Sequence, residues 1–556
     1  MPPSDHESDT ASYPGHGQAS AAPHRQPPNK YFLIRSEAAG AGRLQREPSW
    51  SLNSTPRMTQ RTLHSVVYIG LASFGFVALR FLLVPIRIKL LTSLLDKDAY
   101  GTLTLISLSV SCLSVLLGVG SQEFLLSRCP GKSEAYQYGA LWSAMRLAVG
   151  AAALIGMPLL LLLILWQPPK VDLQTTDYLL AAALVMPTLI VLQRVFFLLG
   201  RQRFIAARSS QLLASDAWFL PIIPLCLLIP LSVRSVLWVW LGWMLVTVVF
   251  THRWAGISTL WRITTEHVPV RTVLAFGLPL LPMTLGFWLF KLLDRYVLVW
   301  LQDTVAVANY SLSLNISLIG FMAGVSLVEV FSSEFFRRIN AARDHSSMAP
   351  ADRSEVRDIL SLMIRYGLLV TLPAAAALAQ CGESVILVLS DAQYLDAVAI
   401  LSWTAPLAVL FLFLFVLSRM LLALNRNIAL GIAILVGALA NGVLNALLVP
   451  VLAERGAALA TGISLLLLCV ALAWIARFPR WISLSSLQPV RLMVLYAACA
   501  GGLYLLQERL ADHPFAVLIL GAIWCLAVPI LLGLVRRSDL ALIRAFGKAR
   551  FTPDPK

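Results

Sequence analysis

The sequence predicts an all-α, polytopic membrane protein of about 14 transmembrane helices, arranged as two parallel six-helix lobes plus a two-helix C-terminal extension. Three observations predict it. Only 13% of the 556 residues are charged, against about 25% in an ordinary soluble chain. The chain is 58% hydrophobic with a mean hydropathy of +0.75, and apolar runs long enough to cross a bilayer recur along nearly its whole length. The basic residues that give a net charge of +15 lie between those runs, so they read as topology signals and not as a nucleic-acid surface.

Residues 1–60 are rich in Pro, Gly, Ser, His and Gln and show little periodicity. They read as a disordered, basic cytoplasmic tail without the apolar core of a signal peptide. Met58 opens MTQRTLHS directly before the first apolar run and offers an alternative start. The spans then follow at 65–86, 99–119, 139–165, 178–199, 209–231, 235–251, 273–297, 305–328, 359–380, 397–423, 428–450, 456–476, 490–507 and 515–535. Only LSVRS separates the fifth from the sixth, and Pro221, Pro224 and Pro230 break the fifth. Domain limits follow: a tail at 1–60, an N-terminal lobe at 61–270, a C-terminal lobe at 271–480, and 481–556 for two extra helices and a cytoplasmic C-terminus.

Charge supports the count. With the N-terminus in the cytoplasm, the inner segments carry 29 Lys and Arg and the outer loops 7, the bias expected of a correct topology with both termini inside. The largest polar inner segment is 329–358, with Arg337, Arg338, Arg343, Arg353 and Arg357. It reads as a charged connector with a solvated face or a partner-binding role. The seven cysteines (Cys112, Cys129, Cys226, Cys381, Cys469, Cys499 and Cys525) form no CxxC pair and suggest neither a disulfide framework nor a metal site.

The lobes come from a repeat. LLDKDAYGTLTLISLSVS (94–111) and LQDTVAVANYSLSLNIS (301–317) each pass from an apolar helix through an Asp-containing break to a Tyr and a Ser/Leu-rich helix. Tyr100 and Tyr310 mark equivalent points. Six spans separate the copies, so both have the same orientation and the lobes are related by an axis along the membrane normal.

FGLPLLPMTLGFWLFKLLDRYVLVWLQDTVAVANYSLS (276–313) resembles the start of the second lobe in bacterial lipid-linked oligosaccharide (O-unit) flippases, the polysaccharide-transporter branch of the multidrug/oligosaccharidyl-lipid/polysaccharide exporter (MOP) superfamily. ALNRNIALGIAILVGALANGVLNALLVPVLAERGAALATGIS (423–464), with Asn441, Asn445 and Pro450, resembles that family's eleventh and twelfth helices. The resemblance covers about residues 60–535, and the long tail departs from it. It implies a two-lobe transporter with a central cavity in the bacterial inner membrane. It further implies export of undecaprenyl-pyrophosphate-linked repeat units for lipopolysaccharide or exopolysaccharide, without covalent chemistry, catalytic residues or cofactor. The implied partners are that glycan, the bilayer, other polysaccharide assembly proteins and an H+ or Na+ counter-ion.

Charges inside spans name the candidate site. Arg80, Arg146, Arg194, Lys291, Arg365 and Arg419 are basic. Each costs about 2.5–3.5 kcal/mol at a helix centre unless it faces a wet cavity, where it attracts a pyrophosphate. Arg80 and Lys291 are deepest, so the cavity suits them best. Arg194 and Arg365 fit either a cavity or the inner boundary, and Arg146 and Arg419 can snorkel to headgroups. Lys291, Asp294 and Arg295 share a helical face, and Asp294 can pair with Lys291 or close an outer salt bridge with Arg295. Asp216 is a candidate for ion coupling, or a partner of Arg208 or Arg194. Glu123 and Glu329 read as interface charges at inner span ends. Gly277, Pro279, Pro282 and Gly286 break the seventh span and suggest a gating helix, or an ordinary kink.

Two other functions compete. A drug exporter of the same superfamily would favour acids and aromatics in its cavity, whereas here in-span bases outnumber acids. A glycan polymerase or ligase would carry a large outer loop, but the only outer-loop histidine is His513.

Overall fold

A computed structural model of the protein describes residues 60–156, 158, 173–227, 230–256, 266–344, 350–482 and 487–534. The expected tail, and the C-terminal residues from 535 on, lie outside them. Over the described residues the chain is a polytopic, all-α membrane protein. Among these residues, 11 helical stretches are long and apolar enough to cross a membrane.

The first half contains α1 (Gln60–Leu94), α2 (Lys97–Leu116), α3 (Ser121–Arg128), α4 (Glu134–Ala151), α5 (Thr175–Gly200), α6 (Phe204–Gln211), α7 (Ile222–Leu225) and α8 (Val233–Ala255). The second half contains α9 (Val270–Gly277), α10 (Leu281–Leu301), α11 (Thr304–Asp344), α12 (Pro350–Gln380), α13 (Gly382–Leu389), α14 (Ala397–Thr404), α15 (Leu407–Ala423), α16 (Asn427–Ala476), α17 (Pro489–Arg509) and α18 (Pro514–Leu531). The expected eleventh and twelfth spans form α16, which bends at Ala453 (φ 49°, ψ −131°). The last pair, α17 and α18, packs on α12 and α13.

Three expectations are corrected. The first helix does not stop near residue 86: it runs to Leu94, because Ile88 and Leu91 continue the buried face past Arg87 and Lys89. The fifth span is not one helix. It is α6, a π-helical turn at Leu212–Asp216, irregular turns and the short α7, as prolines that lack an amide hydrogen and clash with the preceding turn require. Over its described residues the 329–358 connector is also helical, since α11 extends to Asp344 and α12 begins at Pro350. Of its arginines, only Arg357 has a described side chain, which donates to the Arg480 carbonyl at 3.2 Å.

The Asp of each repeat copy has a physical role. Asp96 caps α2, accepting the Ala99 amide at 2.8 Å. Asp303 caps α11, accepting the Ala306 amide at 2.7 Å. Each satisfies a donor that a helix start leaves unpaired. The capped helices lie side by side, and a Cβ on Gly101 would fall 2.0 Å from the Thr304 carbonyl oxygen.

The seventh segment divides its contacts. Its first part, α9, packs on α3 and α4, although it lies beyond the expected domain limit at residue 270. The Phe124 and Phe276 rings meet edge-on at 5.6 Å. A Cβ on Gly277 would lie 1.9 Å from the Val119 carbonyl oxygen. Its second part, α10, packs chiefly along α16, where a Cβ on Gly286 would lie 2.7 Å from the Leu435 amide nitrogen. Between them is a 3-10 turn, Leu278–Leu280, with Pro279 inside it and Pro282 just after it.

Candidate functional site

Arg80 and Arg87 stand seven residues apart on α1, two helical turns along one face. Both reach the π-helical turn of the broken fifth segment. Arg80 Nε donates to Asp216 Oδ1 at 3.3 Å, and Arg87 Nη1 donates to the Ser215 carbonyl at 2.8 Å. Ser215 Oγ donates to the other Asp216 oxygen at 2.8 Å. Asp216 therefore pairs with Arg80 and not with Arg208 or Arg194. Arg208 donates to Gln211 Oε1 at 3.0 Å. Arg194 donates to the Val248 carbonyl at 2.5 Å and to Thr251 Oγ1 at 3.1 Å, stitching α5 to α8.

Opposite α1, α10 presents Lys291. It is exposed despite its mid-span position, with Nζ 5.3 Å from the Trp288 ring centroid. Its charge interacts with those of Arg80 and Arg295. Tyr100 of α2 is buried and interacts electrostatically with Arg87 and Arg295. Thus α1, α2, the 212–216 turn and α10 converge on one basic locus. Arg87 was missed by the sequence reading because it fell beyond the expected end of the first span. The i, i+7 relation to Arg80 was the available signal.

Asp294 and Arg295 are placed differently. They are buried, 1% and 4% exposed, and pair with each other at 3.0 Å rather than through Lys291. Arg295 also donates to the Lys291 carbonyl at 2.7 Å and to Ser311 Oγ at 3.2 Å. Tyr310 donates to Asp294 Oδ2 at 2.7 Å and lies 3.2 Å from Thr461 Oγ1. Ser464 donates to Asn441 Oδ1 at 3.0 Å, and Asn445 Nδ2 to the same oxygen at 3.1 Å. This polar network ties α10 and α11 to α16. Arg365 is buried on α12, its guanidinium 5.4 Å from the Tyr366 ring centroid, and Arg146 is exposed over Trp142 at 5.5 Å.

The locus is bounded on two sides. On the side where α1 ends, Lys97 Nζ pairs with Asp396 at 2.5 Å. Gln393 Nε2 donates to the Thr92 carbonyl at 2.9 Å, Lys89 Nζ donates to the Leu387 and Ser390 carbonyls, and Asp98 accepts from Thr304. On the opposite side, Arg419 approaches Glu329 at 3.7 Å and acts electrostatically on Glu123 of α3. Burial pushes the Glu123 carboxyl above the usual carboxylate range, and Arg419 pulls it back.

No protein-family model matches the sequence, and no curated protein does. Solved structures match in fold. A lipid II flippase MurJ in an inward closed conformation has a TM-score of 0.64 at 14% identity, covering 85% of this chain and 100% of that chain. An outward-facing multidrug resistance MATE family transporter of the MOP superfamily has a TM-score of 0.53 at 15% identity, covering 75% and 95%. A MOP superfamily transporter from Pyrococcus furiosus, described as having a binding pocket of reverse polarity, has a TM-score of 0.52 at 15% identity, covering 77% and 96%. The chain shares the fold of these three solved structures.

Proposed function

We propose that the protein translocates an undecaprenyl-pyrophosphate-linked oligosaccharide, such as an O-antigen or other polysaccharide repeat unit, across the bacterial inner membrane by alternating access. One observation carries the reading: Arg80, Arg87 and Lys291 face a common locus whose acid partner is Asp216. Three cations and one acid leave two net positive charges, which match the two negative charges of a pyrophosphate diester. Arginine adds forked hydrogen bonds to phosphate oxygens, and Trp288 beside Lys291 offers a face for a sugar ring. The excess of base disfavours a cationic drug as cargo.

In this reading the α1-end side faces the periplasm and both termini the cytoplasm, as the charge bias favours. The two halves rock about the seventh segment. Gly277 keys α9 to the first half and Gly286 keys α10 to the second, so Pro279 and Pro282 mark the hinge. The expected domain limit then moves from residue 270 to the 3-10 turn. Arg194, Asp294, Arg295 and Arg365 hold the framework; Arg80, Arg87 and Lys291 hold the cargo.

The test is genetic and chemical. Deletion should accumulate a lipid-linked sugar on the cytoplasmic leaflet, and Arg80→Gln or Lys291→Gln should fail to reverse that while inserting normally. Full export by both variants would defeat the proposal.

A further inference from the structure

We infer that Asp216 is a built-in counter-anion which holds the place of the cargo's phosphate and yields it when cargo arrives. The inference rests on the proposed flippase reading and adds its control. Geometry supplies the first reason. Arg80 meets Asp216 through Nε alone, at 3.3 Å, not in the forked geometry that makes guanidinium–carboxylate pairs strong. The Arg80 side chain is 41% exposed, whereas that of Asp216 is 4% exposed. The cation faces the locus and the acid faces its own turn, and such half-exposed pairs are weak. A phosphate approaching from the open side reaches the guanidinium without crossing the carboxylate.

Where the carboxylate goes supplies the second reason. Ser215 Oγ lies 2.8 Å from both Asp216 Oδ2 and the Gln211 carbonyl, so its single proton is within reach of Asp216 after Arg80 is lost. The third reason is mechanical. Among the described residues, Arg80 and Arg87 make the hydrogen bonds that tie α1 to the 212–216 turn. The same helix ends in Lys89 and Thr92, which contact the 387–393 segment of the second half. A pyrophosphate that recruits both arginines unfastens α1 from the turn, and the helix carrying the outer contacts becomes able to shift. Cargo arrival is thereby signalled to the outer mouth.

The experiment uses full-length protein in detergent, with farnesyl pyrophosphate as the probe. Calorimetry on wild type, Asp216→Asn and Lys291→Gln reads affinity, and hydrogen–deuterium exchange reads the 212–216 turn. Asp216→Asn should bind the probe roughly two- to fivefold more tightly, Lys291→Gln should bind it more weakly, and exchange in the wild-type turn should rise on probe addition. If Asp216→Asn weakens binding as Lys291→Gln does, Asp216 builds the site and the inference fails alone. If the wild-type turn becomes protected by probe, it fails even where the Asn variant folds poorly. If the wild type does not bind the probe, the flippase reading falls and this inference with it.

Discussion

Replacing Asp294 with leucine removes the acceptor for three donors at once. Arg295 Nη1 loses its carboxylate at 3.0 Å, Tyr310 loses its acceptor at 2.7 Å, and the Arg295 amide loses a contact at 2.8 Å. A buried guanidinium left without its acid costs about 3–5 kcal/mol. The tyrosine adds about 1 kcal/mol at most, because Thr461 still lies 3.2 Å away. Ser311 and the Lys291 carbonyl continue to hold Arg295, so the lower part of the range is expected. Arg295→Leu should cost a similar amount, leaving Asp294 buried without its cation. The double variant removes both charges together and should cost about 1–3 kcal/mol, well below the sum. The assay is denaturant unfolding of full-length protein in mixed micelles, read as a double-mutant cycle. If the single losses simply add, the two residues do not form one buried unit. If the double variant is stable but inactive in transport, the pair touches cargo and the framework assignment is wrong.

Lys97→Asp removes the 2.5 Å pair with an exposed Asp396; stability should change by less than about 1 kcal/mol, but labelling of a cysteine at position 393 by an impermeant maleimide should rise, and adding Asp396→Lys should reverse it. Gly277→Ala places a methyl group 1.9 Å from the Val119 carbonyl oxygen. It should cost about 1–3 kcal/mol or more, measured by the same unfolding assay, whereas Pro279→Ala should alter transport rate with a smaller stability change. Glu123, whose carboxyl is raised by burial, contributes stability below its unfolded pKa that is lost as pH rises through the higher folded value. The wild-type thermal midpoint should therefore fall more on that rise than the midpoint of Glu123→Gln, and parallel curves would contradict the assignment.

The spans were legible because length and apolarity alone decide whether a helix can cross a bilayer. Where they end was less legible. Arg87 and Lys89 look like a loop in sequence, yet the helix continues since Ile88 and Leu91 keep one face buried. The deep cations Arg80 and Lys291 were visible because a mid-span charge demands a reason. Their surroundings were not: Asp216 lies 136 residues from Arg80, and Thr461 lies 151 from Tyr310. Periodicity placed Lys291, Asp294 and Arg295 on one face, but only tertiary packing separates an exposed lysine from a buried pair.

That separation follows from cost. Arg80, Arg146, Arg194, Lys291, Arg365 and Arg419, at about 2.5–3.5 kcal/mol each, would total about 15–21 kcal/mol, more than the net stability of most domains. Arg194 is relieved by a carbonyl and a hydroxyl, and Arg419 by Glu329. Arg295, at the same depth, is relieved by Asp294. For Lys291, among the described residues, the contact is the Trp288 ring, while Arg80 and Arg295 repel it. A lysine placed so is tolerable where water reaches it. Among the described residues no acid pairs with it, and an anion delivered to it gains an attraction that the protein does not supply. That makes Lys291, more than the paired arginines, the residue whose loss should most weaken cargo capture.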